Sequence, residues 1–152
     1  HLRPHIDAMQ LTDFTDASFS NSVNGPFDCI LSSFSLQHVS GHQLLDLYPT
    51  LYRLLDSDGL LFIAEEVSSD APAGLDISSI VRRDFIRTNR TQKLIPTEFT
   101  SAQASIPRNQ WPPFYSLRID DHISLLARAG FAVSAPAYIL GAALFVACKR
   151  TD

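Results

Sequence analysis

The sequence predicts an α/β fold built on parallel strands, and three features of residues 25–67 support this prediction. Residues 27–32 form a short apolar run after a proline, residues 41–55 repeat apolar side chains at helical spacing, and residues 60–64 form a second apolar run. A strand, a crossover helix and a second strand make a βαβ unit, in which the two strands are parallel. Parallel strands of this kind lie inside a buried sheet.

Polar side chains follow both predicted strands. Ser32, Ser33 and Phe34 end the first strand, and Glu65 and Glu66 end the second. In open α/β sheets, ligands bind outside the carboxyl ends of the strands. The sequence therefore predicts a binding site at these two strand ends.

The helix between the strands has one predicted buried face, since its leucines and Tyr48 recur at steps of three and four residues. Pro49 lies within this stripe and lacks an N–H group, so we predict a kink or break near residues 45–48. The Asp-Ser-Asp-Gly sequence of residues 56–59 predicts a tight turn before the second strand.

The flanking segments are predicted with less regular structure. Residues 12–25 are rich in Ser, Thr, Asn and Asp, which predicts a loop or one helical turn, with Phe14 and Phe19 as its anchors in the core. Residues 120–129 form a predicted helix capped by Asp120 and stopped by Gly130. Two strands at residues 131–133 and 142–147, joined by a turn at 138–141, are predicted to be antiparallel.

Composition limits the class of protein. The chain has 152 residues, 45% of them apolar and 18% charged, which is typical of one globular domain or part of one. Its net charge of −4 gives no general attraction to nucleic acid, and no apolar run is long enough to predict a membrane span. Cys29 and Cys148 each lie in a predicted buried strand, so we interpret them as reduced core thiols in a cytoplasmic protein, with no metal site.

Five strings follow one another along the chain: FDCILS at 27–32, LQHV at 36–39, RLLDSDGLL at 53–61, LARAGF at 126–131 and LFVACKR at 144–150. In this order they resemble the second half of a class I S-adenosylmethionine-dependent methyltransferase. The turn departs from the family pattern, because Asp-Ser-Asp stands where Lys-Pro-Gly is usual. The resemblance covers residues 6–150, apart from a variable segment at 68–118.

The resemblance implies a Rossmann-like methyltransferase sheet, mostly parallel with an antiparallel final strand, in the family order 3-2-1-4-5-7-6. The glycine-rich cofactor loop of the family has no counterpart among the six glycines of this chain. We therefore expect residues 1–152 to form a single partial domain that lacks the N-terminal strands. On this reading the chain alone is inactive, and a partner segment or subunit supplies the missing half.

The resemblance also assigns roles to residues at the strand ends. Asp7, Ala8 and Met9 would contact the adenine of S-adenosyl-L-methionine, and Ser32, Ser33 and Phe34 would line its methionine and sulfonium region. The alternatives are a surface loop and a plain strand-end turn.

Two residue types near the same strand ends suit acid–base chemistry. His38 is a candidate general base, because imidazole ordinarily titrates near neutral pH; alternatively it caps the helix or packs within the turn. Glu66 is a candidate catalytic carboxylate and Glu65 a candidate substrate ligand, although either is equally compatible with a solvated strand end.

The segment 68–118 is predicted to form a lid over the methyl acceptor, as in the family. Trp111, Phe114 and Tyr115 would wall an acceptor pocket, or instead fasten the lid to the core. The segment also holds a basic run whose default interpretation is a solvated helix face, formed by Arg82, Arg83, Arg87, Arg90 and Lys93.

The leading functional hypothesis is methyl transfer from S-adenosyl-L-methionine to a small-molecule acceptor. One alternative is a non-catalytic methyltransferase-like interaction module or partner subunit. A second alternative, a tRNA-modifying methyltransferase, depends only on the basic run.

Overall fold

The computed structural model describes residues 13–16, 18–68, 84, 87–88, 113–139 and 141–150. The described elements are, in chain order, α1 (Phe19–Ser22), β1 (Phe27–Ser33), a 3₁₀ helix (Leu36–His38), α2 (Gly41–Leu54), β2 (Leu55–Glu66), α3 (Ile119–Arg128), β3 (Phe131–Ile139) and β4 (Ala142–Lys149). Within these residues, no helix has the length and hydropathy needed to cross a membrane.

The four strands form one sheet in the order β1-β2-β4-β3. β1 and β2 are parallel, whereas β4 is antiparallel to both of its neighbours. Three strands therefore run in one direction and one runs against them. This confirms the predicted Rossmann-like sheet, mostly parallel with an antiparallel final strand, and the order corresponds to 4-5-7-6 of the family.

The core lies between this sheet and the two longer helices, α2 and α3. Alternate residues of β2, among them Leu61 and Ile63, are fully buried, as expected for a strand that packs one face against helices. The helices contribute Leu44, Tyr48 and Leu126, which are also fully buried. The N-terminal segment is attached to this core by the partly buried Phe14 and Phe19, as predicted.

Of the predicted kink or break near residues 45–48, the break is wrong, because helix α2 is continuous through Pro49; the kink stays a prediction. Its first turn is stabilised by a capping box, in which Ser40 and Gln43 exchange hydrogen bonds. Next to the proline, the Thr50 hydroxyl donates to the carbonyl of Asp46 at 3.0 Å. The buried face of the helix outweighs the hydrogen bond that Pro49 cannot make.

Strand β2 begins at Leu55, so the predicted turn at residues 56–59 is also wrong. In the register, Phe27 pairs with Leu55 and Cys29 pairs with Leu60, which means that the Asp-Ser-Asp-Gly residues form a bulge within β2. A side chain at Gly59 would lie 2.8 Å from the carbonyl oxygen of Phe27. Glycine is therefore required where the bulge approaches β1.

Strand β1 forms an edge of the described sheet, and this overturns one prediction about the cysteines. Cys29 is exposed, whereas Cys148 in β4 is half-buried; both are free thiols. Leu31 on the same edge strand is 74% exposed. An apolar run predicts a strand but does not reveal whether that strand lies at the centre or at the edge.

The C-terminal elements differ from prediction only at their ends. Helix α3 begins at Ile119, and the Asp121 carboxylate accepts a hydrogen bond from the backbone of Arg118, so Asp120 is not the cap. Gly130 has φ +103° and ends the helix as predicted. β3 continues through Tyr138 and Ile139, which were predicted to form a turn. The predicted lid and the single-domain boundaries remain predictions, since most of residues 68–118 lie outside the described part of the chain.

Candidate functional site

The candidate site is the turn of residues 34–38, which connects β1 to α2 at the carboxyl ends of β1 and β2. Phe34 opens the turn in the left-handed conformation, with φ +50°, which few non-glycine residues adopt. Its N–H donates to the carbonyl of Ala64 at 2.8 Å, so the turn is fixed to β2. Phe34 is 47% exposed.

The carboxylate of Glu65 organises this turn from below. Its Oε1 accepts hydrogen bonds from the N–H groups of Ser35 and Leu36, both at 2.8 Å, and its Oε2 accepts one from Gln37 at 3.1 Å. The side chain is completely buried. Burial raises the pKa of Glu65, while the three N–H donors and the nearby His38 oppose the rise.

The segment of residues 113–117 packs against the outer side of the turn. The N–H of Tyr115 donates to the carbonyl of Gln37 at 2.6 Å, and the carbonyl of Leu117 accepts from Ser68 at 2.9 Å. The rings of Phe114 and His38 meet edge to face, with 6.1 Å between centroids. Two segments distant in sequence are therefore joined at the candidate site.

The contact between His38 and this segment determines where the imidazole carries its proton. Nδ1 of His38 lies 3.0 Å from the carbonyl oxygen of Pro113. A carbonyl oxygen only accepts, so Nδ1 carries the hydrogen and donates. In the neutral ring, Nε2 therefore keeps its lone pair, which is the form needed by a general base.

A groove of about 260 Å³ lies beside the turn, between β1 and the N-terminal segment. Apolar side chains such as Phe14, Phe19 and Leu31 line it together with three serines. The hydroxyls of Ser32 and Ser35 lie 2.9 Å apart and form a hydrogen bond. A larger cavity of about 400 Å³ next to α2 is lined by none of the predicted site residues.

Sequence reasoning missed a buried polar pair beneath the site. The Tyr48 hydroxyl and Nδ1 of His122 form a hydrogen bond of 2.8 Å between α2 and α3. Burial lowers the pKa of His122 to about 4, and burial together with the charge of Glu65 raises the pKa of Tyr48. His122 falls on the inward stripe of α3 with Leu126, one helical turn apart, and this periodicity was the available signal.

The structure brings several of the predicted site residues to one place. Ser32, Phe34, His38, Glu65, Phe114 and Tyr115 all lie at or next to the turn. Ser33 is exposed at the end of β1, and Glu66 is half-buried. Because successive strand residues point to opposite faces, Glu66 does not share the position of Glu65.

Other predicted residues cannot be placed. Asp7, Ala8, Met9 and Trp111 lie outside the described residues. Of the basic run, only Arg87 is described, and it forms an exposed ion pair with Asp84 at 2.7 Å. The roles assigned to all of these residues, and to those at the turn, stay predictions.

No protein-family model and no curated protein sequence matches the chain. Solved structures do match. The pyocyanin biosynthetic protein PhzM is 16% identical, with a TM-score of 0.54 over 91% of this chain. The mitomycin 7-O-methyltransferase MmcR is 11% identical, with a TM-score of 0.55 over 91% of this chain. Human N-acetylserotonin methyltransferase, in complex with S-adenosylmethionine, is 14% identical, with a TM-score of 0.53 over 93%.

The chain has a methyltransferase fold. It spans about a third of the length of the solved structures it matches: 34% of PhzM and 33% of each of the other two. The resemblance predicted from the five strings is thus confirmed at the level of the fold. At these identities the likeness does not extend to substrate or activity.

Proposed function

We propose that this chain is part of an S-adenosylmethionine-dependent methyltransferase that methylates a hydroxyl group of a small molecule, with His38 as general base. The observation that carries the proposal is the contact of His38 Nδ1 with the Pro113 carbonyl, which leaves the lone pair of the neutral ring on Nε2. It lies at the strand ends where ligands bind in this class of fold. A hydroxyl oxygen is a weak nucleophile until a base removes its proton, so methylation of a hydroxyl group gives His38 a role as that base.

The described residues suit one part of the cofactor. When bound, S-adenosyl-L-methionine supplies a methyl group on an activated, positively charged sulfur. The exposed ring of Phe34 suits a cation of this kind, because an aromatic face attracts positive charge. Ser32 and Ser33 supply hydroxyls for the polar methionine end. Asp7, Ala8 and Met9 are proposed to hold the adenine.

The residues of the chain then have separate tasks. His38 takes the proton of the acceptor: the O–H bond breaks, its electron pair stays on oxygen, and an N–H bond forms at Nε2. Phe114 and Tyr115 are proposed to cover the acceptor and exclude water. Glu65 holds the turn in place, and this alignment of the reacting groups supplies much of the rate.

The test uses the natural protein that contains this chain, assayed with S-adenosyl-L-methionine and a panel of hydroxyl-bearing small molecules. Product mass reports methyl transfer, and calorimetry with S-adenosylhomocysteine reports cofactor binding. We expect His38→Gln to lower kcat about 10²- to 10⁴-fold, while His42→Gln, an exposed histidine of α2, retains activity. Unchanged kcat in His38→Gln rejects the base, and absence of both binding and transfer rejects the function.

A second candidate is a non-catalytic interaction module, and the edge strand β1 favours it. Leu31 is 74% exposed and Phe27 36% exposed on this strand, whose described hydrogen-bonded neighbour is β2 alone. An exposed apolar edge is a surface that another strand can pair with. Binding of a protein partner without any cofactor binding in calorimetry distinguishes this role from catalysis. No described contact favours the tRNA-modifying alternative.

A further inference from the structure

Gln37 stands next to the proposed base, and its backbone is held from two directions. Its N–H donates to Oε2 of Glu65 at 3.1 Å, and its carbonyl accepts from the N–H of Tyr115 at 2.6 Å. The first contact comes from β2 and the second from the segment 113–117. The side chain therefore projects from a fixed point.

The two ends of the Gln37 amide have unequal surroundings. The nitrogen lies 3.5 Å from Nε2 of His38, which is a long hydrogen bond. The oxygen, Oε1, is buried and accepts no hydrogen bond from any group in the described part of the chain. A buried acceptor without a donor is unfavourable and rare in folded proteins.

The protonation of His38 determines which end of the amide suits it. Because Nδ1 donates to Pro113, the neutral ring offers a lone pair at Nε2, and the NH₂ end of Gln37 is its correct partner. After proton uptake, Nε2 becomes a donor and faces the donor NH₂. A half-turn of the amide would then bring Oε1, the unpartnered acceptor, to the new N–H.

We propose that Gln37 is a positioning residue for His38, with a side-chain amide that turns over when His38 gains a proton and then stabilises the protonated ring. The importance of Gln37 for catalysis rests on the proposed function, in which the acceptor hydroxyl gives its proton to Nε2. The turnover of the amide does not depend on that function. The charged group that faces His38 from β2 is Glu65. The facing groups of the segment 113–117 are neutral: the Pro113 carbonyl and the Phe114 ring.

The test follows the histidine ring signals by NMR as pH is varied, and needs no cofactor. In Gln37→Met, which keeps the size of the side chain but lacks the amide, we expect the titration midpoint of His38 to fall by about one pH unit. This is a tenfold loss of proton affinity, since the charged ring loses a hydrogen-bond acceptor. His42, exposed on α2, serves as the control in the same spectra and should not move. Equal His38 midpoints in the two proteins overturn the proposal.

A second measurement uses the unmodified protein and so does not depend on the folding of a variant. At pH values above the titration midpoint of His38, the side-chain NH₂ hydrogens of Gln37 should show a nuclear Overhauser effect to the His38 ring. At pH values below the midpoint this effect should disappear. Persistence of the effect at low pH contradicts the turnover. A shifted midpoint in a protein that neither binds S-adenosylhomocysteine nor transfers a methyl group supports the turnover and rejects the proposed function, so the two failures are distinguishable.

Discussion

Replacing Glu65 by glutamine tests whether a buried carboxylate holds the turn of the candidate site. The substitution keeps the size of the side chain but exchanges one acceptor oxygen for an NH₂ donor. Three backbone N–H groups point at the carboxylate, so at least one of them must then face another donor. The N–H of Gln37 is the group most affected when Oε2 is replaced by NH₂, because it is the one of the three that donates to Oε2.

The magnitude follows from these contacts. A buried donor left without an acceptor costs about 1–3 kcal/mol, and hydrogen bonds to a charged group lie at the upper end of the range of net contributions. We expect Glu65→Gln to lower the free energy of unfolding by about 1–3 kcal/mol. Glu65→Ala leaves all three N–H groups without the carboxylate, and we expect the free energy of unfolding to fall by about 3–5 kcal/mol. This is less than three full losses, since only the bond from Leu36 is buried and those from Ser35 and Gln37 are partly buried.

Urea unfolding near pH 8 measures these differences, with Asp28→Asn as the matched control. Asp28 is an exposed carboxylate on β1, and we expect its amide variant to change stability by less than about 0.5 kcal/mol. Amide hydrogen exchange should in addition be faster at Ser35, Leu36 and Gln37 in Glu65→Gln. Equal stability of Glu65→Gln and Asp28→Asn, with unchanged exchange at these three amides, would refute the conclusion that Glu65 holds the turn.

Two further predictions concern the core beneath the site. The pKa of His122 is about 4 in the fold against an ordinary 6.5, so between these pH values the unfolded chain binds a proton that the folded chain does not, and the free energy of unfolding should fall by about 3 kcal/mol as pH drops from 6.5 to 4. Urea unfolding at several pH values should show a flatter pH dependence in His122→Phe than in the unmodified protein. An equal pH dependence contradicts the lowered pKa of His122. Gly130→Ala should cost about 1–3 kcal/mol, because φ is +103° and the new methyl group would lie 3.1 Å from the Tyr52 ring. Gly41→Ala, which meets only Leu117 at 3.7 Å, is the thermal-melt control, and equal losses would refute the strain.

The order of the strands in the sheet was implied by the resemblance, whereas the antiparallel pairing of the last two strands was predictable from their short connection. Residues 131–150 illustrate this: a turn between two apolar runs requires antiparallel neighbours, and β3 and β4 are paired in this way. The bulge in β2 was not predictable, since Asp-Ser-Asp-Gly has the composition of a turn. Whether such residues end a strand or bulge from it depends on the pairing of Phe27 with Leu55, a contact that no local pattern encodes.

The candidate site was predictable in position but not in its internal contacts. The carboxyl ends of parallel strands meet at one edge, so Ser32 and Glu65 were expected near each other. The sequence identified Glu65 as a carboxylate near a ligand, whereas its described partners are backbone N–H groups 28 to 30 residues away. Those donors come from a 3₁₀ turn, and backbone donors leave no signature in residue types.

The contacts of the turn also explain why the site depends on three distant segments at once. Phe34 adopts a left-handed conformation that costs on the order of 1 kcal/mol for a residue with a Cβ atom, and the three N–H groups that follow need an acceptor. β2 supplies both stabilising contacts: the Ala64 carbonyl accepts from the Phe34 N–H, and the Glu65 carboxylate accepts from the N–H groups that follow. The segment 113–117 then fixes His38 and Gln37 from outside. A change that loosens the segment 113–117 should therefore disturb the tautomer of His38 before it disturbs the sheet, because the contacts of this segment with His38 and Gln37 are not part of the sheet.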